Sequence, residues 1–129
     1  MVIAVDFDGT LCESKWPEIG EPKEWLINHL RWNQHYKGDK IILWTCRSGE
    51  LLDNAVNWAG QHGLHFDAIN DNVQERIDKY GDNTRKVSAD LYIDDRSDFP
   101  FGCRSKRVRE WAWKRSVCKA LGDGLDRRR

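Results

Sequence analysis

The chain has 129 residues, enough for one domain with a hydrophobic core that needs no disulfide or metal staple. Apolar residues make up 40% and charged residues 33%, and 21 Lys/Arg balance 21 Asp/Glu, so the overall charge points to no partner. No apolar run approaches the roughly 18 residues of a membrane-spanning helix, and the N-terminus lacks a charged-then-apolar leader pattern.

Val2–Val5 is a short continuous apolar run, the mark of a strand buried on both faces. It stops at Asp6-Phe7-Asp8-Gly9-Thr10, where glycine permits a tight turn. Residues 11–21 read as loop, with Pro17 and Gly20 as breakers. A helix is expected from Pro22 to Gly38, with Trp25, Leu26, His29, Leu30 and either Trp32 or Asn33 near one face. Lys40–Thr45 reads as the second buried strand. Ser48 is placed to cap a helix whose core face carries Leu51, Leu52, Ala55, Val56 and Ala59 and which ends near Gly60 or Gly63. Phe66–Ile69 is a weaker third strand, residues 70–85 hold a short helix or turns, and Leu91–Ile93 forms a fourth strand running into Asp94-Asp95.

Arg107–Leu121 reads as a final helix, and residues 122–129 as a frayed basic tail. From Arg104 to Arg129 ten basic side chains face three acidic ones, net +7, which leaves net −7 for the rest. Such a tail is commonly a solvated helix face, and it also keeps contact with nucleic acid open. Trp111 and Trp113 cannot both face inward from one helix, a hint of a homodimer. The four cysteines, at 12, 46, 103 and 118, show no Cys-x-x-Cys or metal-ligand spacing, so free thiols in a reducing, cytoplasmic setting are expected.

Strands alternating with helices imply parallel pairing through right-handed crossovers. The expected fold is therefore a single-domain α/β protein over 1–129, a doubly wound (Rossmann-like) parallel sheet with helices on both faces. Ligands in such sheets bind beyond the carboxyl ends of the strands. Asp6 and Asp8, Thr45, and Asp94 and Asp95 all fall at strand ends and should share one rim. Carboxylates gathered this closely repel unless a cation sits between them, and hard oxygen donors suit Mg²⁺. With Thr45 as a hydroxyl and Lys86 or Arg47 as a positive charge, such a rim is equipped to hold a phosphoryl group. A calcium loop fits worse: counted from Asp6, glycine stands fourth and position twelve is Pro17. His29, His35, His62 and His65 lack catalytic spacing and read as structural or surface residues.

These segments resemble those of the haloacid dehalogenase (HAD) superfamily. VIAVDFDGT, residues 2–10, is similar to its first motif and IILWT, residues 41–45, to its second. Lys86 resembles the third, and LYIDD, residues 91–95, is similar to the fourth in its paired-aspartate form. The resemblance implies a Mg²⁺-dependent phosphomonoester hydrolase with Asp6 as nucleophile and Asp8 as general acid/base. It implies catalytic roles for Thr45 and Lys86, with Lys79 and Arg85 as rivals of Lys86. Phosphate would be bound around Phe7, Gly9, Thr10, Thr45, Cys46 and Arg47. Mg²⁺ would be held by Asp6, the Asp8 carbonyl and the Asp94-Asp95 pair, Asp95 most directly. Residues 11–21 and 70–85 are too short for a cap domain, which implies an open site for a large phosphorylated substrate, with Trp16 at its entrance. Three alternatives stay open: a non-catalytic Mg²⁺ and phospho-ligand module, a nucleic-acid end-processing phosphatase, and a phosphotransferase.

Overall fold

A computed structural model describes residues 1–97, and all that follows concerns them. The chain divides into two units, Met1–Asp95 and Arg96–Arg129. The helix expected over 107–121, the tail, Trp111 and Trp113 lie outside the described residues.

Four short strands form a parallel sheet. They are β1 (Val2–Val5), β4 (Lys40–Leu43), β5 (Ala68–Ile69) and β6 (Leu91–Ile93), in the order β5-β4-β1-β6. Val2 pairs with Lys40 and Val5 with Leu43 on one side of β1, while Ile3 pairs with Leu91 and Val5 with Ile93 on the other. The strand order runs outward from β1 to β5 and then reverses to place β6 on β1's free edge. The reversal leaves a crevice at the carboxyl ends of β1 and β6, the usual ligand position in a Rossmann-like α/β sheet.

The apolar runs behave as fully buried strands. Val2, Ala4 and Ile42 pack with Val73 and Val87 on one face. Alternation sends Ile3, Val5, Ile41 and Leu43 to the other, and all four are fully buried. Three helices accompany the sheet: α1 (Glu24–Lys37), α2 (Gly49–Gln61) and α3 (Gln74–Tyr80). Gly38 ends α1 in the left-handed conformation, with φ of 67° and its N–H on the Asn33 carbonyl, as its position past the last turn implied. No helix among the described residues is long and apolar enough to cross a membrane.

The stretch expected to be loop is instead an antiparallel hairpin, β2 (Cys12–Lys15) and β3 (Glu18–Pro22), turning at a cis Trp16–Pro17 bond. β2 is exposed beyond Cys12, β3 mixes exposed and half-buried positions, and neither carries an alternating apolar pattern, which hid them from the sequence. Gly20 allows their close approach, since a Cβ there would stand 2.3 Å from the Glu13 carbonyl oxygen. Because Pro22 still pairs with Cys12, α1 begins at Glu24 and not at Pro22. Its buried face is Leu26, Ile27, His29, Leu30 and Asn33, while Trp25 and Trp32 flank it and are exposed.

The polar stretch 70–90 is ordered by Asn72, a buried amide. Its Nδ2 donates to Asn83 Oδ1 at 2.9 Å and to the Thr84 carbonyl at 3.0 Å, and its Oδ1 accepts from Ser88 N–H at 2.6 Å. Truncation would strand buried donors and acceptors, so Asn72→Ala is expected to cost on the order of 2–3 kcal/mol in urea unfolding. A loss below about 0.5 kcal/mol would mean the amide does not hold the segment.

Candidate functional site

Because the strands are parallel, their carboxyl ends lie on one edge. Asp6 follows β1, Thr45 follows β4, Asn70 follows β5 and Asp94-Asp95 follow β6. Carboxylate oxygens of Asp6, Asp94 and Asp95 all lie within 4.8 Å of one another. Asp6 is half-buried and the other two are exposed. Burial is the main cause that lifts the Asp6 carboxyl from its ordinary 3.8 to about 6. The neighbouring Asp94 charge and contact with Asp95 add to the rise, while the Phe7 N–H and the Thr10 hydroxyl oppose it.

The turn after β1 is built to permit this crowding. Gly9 has φ of +83°, and a Cβ on it would stand 2.3 Å from Asp95 Oδ2. The positive φ favours glycine, and a Cβ there would push the exposed Asp95 carboxylate aside. Thr10 Oγ1 donates to Asp6 Oδ2 at 3.1 Å and accepts from the Asp95 N–H at 3.1 Å. One hydroxyl thus ties the two acidic strand ends together. The Gly9 N–H donates to the Cys12 carbonyl and the Thr10 N–H to that of Phe7, so both close the turn and are not directed at a ligand. In this state neither supplies the phosphate donor expected of it.

Asp8 points elsewhere. Its Oδ2 accepts from Arg47 Nε at 2.8 Å and its Oδ1 from Arg47 Nη2 at 2.7 Å, a two-pronged ion pair. Arg47 is buried and also donates to the carbonyls of Glu18 at 3.0 Å, Pro17 at 3.2 Å and Leu51 at 3.4 Å. That uses all five of its N–H groups. It was expected to bind phosphate; with no donor left over, it holds Asp8 instead. Its Cζ lies 5.0 Å from the Trp16 ring and 5.1 Å from that of Phe7, whose ring meets Trp58 edge-on. Trp16 thus stacks beside the Arg47 guanidinium and is 57% exposed.

Thr45 Oγ1 accepts from the Arg47 N–H at 3.1 Å, and the Thr45 N–H donates to Asn70 Oδ1 at 2.8 Å. Asn70 holds φ of 51°, uncommon for a non-glycine residue. It braces the β4 end from the neighbouring strand, a role its place in a polar stretch did not reveal. Cys46 is exposed on the same loop. Lys86 is exposed, its Nζ 5.3 Å from the Tyr92 ring. Its rival Lys79 lines a cavity of about 360 Å³ with Met1, Val2 and Lys40, at the amino ends of the strands and so at the wrong edge. Arg85 is exposed.

No family model matches the chain, and no curated protein does. A solved structure, described as that of the conserved protein coded by a locus from Bacteroides thetaiotaomicron, is similar to it. The two chains are 38% identical with a TM-score of 0.70, over 90% of this chain and 91% of that one.

The raised Asp6 pKa has a consequence for the metal-free protein. A carboxyl with a higher pKa folded than unfolded adds most stability when protonated. That contribution is complete below pH 3.8 and lost as pH rises through about 6. Asp6→Asn is therefore expected to be neutral at pH 3.5 and stabilising at pH 8. The gain should be on the order of 1 kcal/mol, discounted for the half-open position. Urea unfolding in EDTA at both pH values checks it; no gain at pH 8 would show that burial and the neighbouring charges do not disfavour the Asp6 carboxylate.

Proposed function

The chain belongs to the same family as the Bacteroides thetaiotaomicron conserved protein, and we propose that it is a Mg²⁺-dependent phosphomonoester hydrolase of HAD type, acting through an aspartyl-phosphate on Asp6. The observation that carries this reading is the cluster of Asp6, Asp94 and Asp95 at the β1–β6 crevice, beside a separately held Asp8. Burial first, and then the Asp94 charge, raise the Asp6 carboxyl to about 6, a perturbation of the kind that gathers at functional sites.

The donor set fits Mg²⁺. Three hard carboxylate oxygens within 4.8 Å can take part of an octahedral shell and leave positions for water and phosphate. Asp6, Asp95 and Asp94 would hold the ion, with the Asp8 carbonyl. When bound, it would cancel the like charges and offset the negative charge of the phosphoryl group.

The chain's own groups then divide the work. An Asp6 carboxylate oxygen attacks phosphorus and the bond to the leaving oxygen breaks; Asp8, which enters this step protonated on a lone pair that Arg47 does not use, gives that oxygen its proton. In the second half Asp8 takes a proton from water as the water attacks the phosphorus of the aspartyl-phosphate, returning Asp6 and free phosphate. Thr45 and Lys86 would contact phosphoryl oxygens, Lys86 by swinging away from Tyr92. With residues 11–21 forming only a hairpin and 70–85 equally short, this reading gives the enzyme an open site suited to a large substrate.

Phosphate release from p-nitrophenyl phosphate and a panel of nucleotide, sugar and DNA-end phosphates tests the reading. Expected are Mg²⁺-dependent turnover, loss in EDTA, no measurable turnover for Asp6→Asn, and, on the sugar phosphates, a loss of roughly 10²–10⁴ for Asp8→Asn. Turnover that survives Asp6→Asn would defeat it.

A further inference from the structure

We infer that Arg47 is a positioning residue: its guanidinium fork aims the Asp8 carboxylate and fastens it to the β2–β3 hairpin. The inference rests on the phosphohydrolase reading above and adds what holds the acid/base in place beside the hairpin.

The Asp8 carboxylate hangs on two rotatable bonds beyond a turn, so the turn alone does not fix its direction. Arg47 does, with one N–H on each carboxylate oxygen at 2.8 and 2.7 Å. A two-point contact fixes both position and plane, which a single charge such as lysine cannot do. Each Asp8 oxygen keeps a second lone pair, and the side chain is 21% exposed, so one edge stays available for proton transfer.

The fork is itself held from three directions. Its remaining N–H groups bind the Pro17 and Glu18 carbonyls at the hairpin turn and the Leu51 carbonyl in the first turn of α2. With every in-plane direction taken, its faces are left to Trp16 and Phe7, at 5.0 and 5.1 Å. A guanidinium bonded on every edge has one orientation. The geometry therefore runs from the hairpin through Arg47 to Asp8, and the hairpin does the orienting that a lid would otherwise do.

A merely structural arginine would leave the same carbonyls satisfied, and removing it would slow every substrate alike. A positioning role makes two different demands. Proton donation matters for an alkoxide leaving group and little for p-nitrophenolate, so Arg47→Lys should lower kcat/KM at least tenfold more for glycerol phosphate than for p-nitrophenyl phosphate. Because Arg47 acts through Asp8, its effect should also vanish once Asp8 is gone. Adding Arg47→Lys to Asp8→Asn should change kcat/KM on glycerol phosphate by less than about twofold.

The experiment is this four-member cycle on both esters, with the fold of each variant checked by circular dichroism and Arg47→Gln as the second variant. Equal losses on the two esters, or penalties that multiply in the double variant, overturn the positioning role while leaving the phosphatase intact. Failure of both Arg47 variants to fold likewise assigns Arg47 to structure alone. A wild-type protein that releases no phosphate from either ester takes down the phosphohydrolase reading and this inference together.

Discussion

Like charges drawn into one crevice set the terms for the rest of the molecule. Asp6 leaves β1 and Asp94 and Asp95 leave β6, and the parallel register that pairs Val5 with Ile93 forces them side by side. The continuous burial of Val2–Val5 and Ile41–Leu43 supplies the free energy that keeps them there. Local groups reduce the conflict without removing it. Thr10 bridges Asp6 and the Asp95 backbone, and Gly9 yields the space that the Asp95 carboxylate occupies. Burial first, and the neighbouring Asp94 charge after it, push the Asp6 carboxyl to about 6. A divalent cation would relieve that conflict, and so stabilisation and the proposed chemistry would draw on the same three side chains.

The fourth carboxylate is kept apart. Asp8 stands two residues from Asp6, yet its charge is matched by a buried guanidinium and not shared with the cluster. Two aspartates in one short turn thus have different surroundings, which is the requirement for one to attack phosphorus while the other moves protons. The hairpin makes the separation possible, because its turn carbonyls complete the Arg47 shell.

The sheet was legible in the sequence because a strand buried on both faces leaves an unbroken apolar run. VIAV was found where it was expected, and the second strand starts at Lys40 as expected but ends at Leu43, leaving Thr45 in the loop beyond it. The rim followed from them, since parallel strands put their carboxyl ends together. The hairpin was not legible, for exposed strands such as Cys12–Lys15 need no alternation and Pro17 and Gly20 read as breakers. Arg47 was picked out as a charge near the site, but a sequence does not show where five N–H groups go. Asn70 and Asn72 were hidden in a polar stretch because what distinguishes them, a left-handed backbone and a buried amide, is tertiary. On α1 the tryptophans outweighed Asn33 in the pattern, although it is Asn33 that is buried.

The central claim is that Asp6 itself carries the phosphoryl group. Acid-quenching the enzyme during turnover of a phosphomonoester, followed by peptide mapping by mass spectrometry, tests it most directly. The account expects one phosphoryl adduct, on the peptide containing Asp6, released by hydroxylamine as an acyl phosphate and absent in Asp6→Asn. An active enzyme phosphorylated at another residue would contradict it.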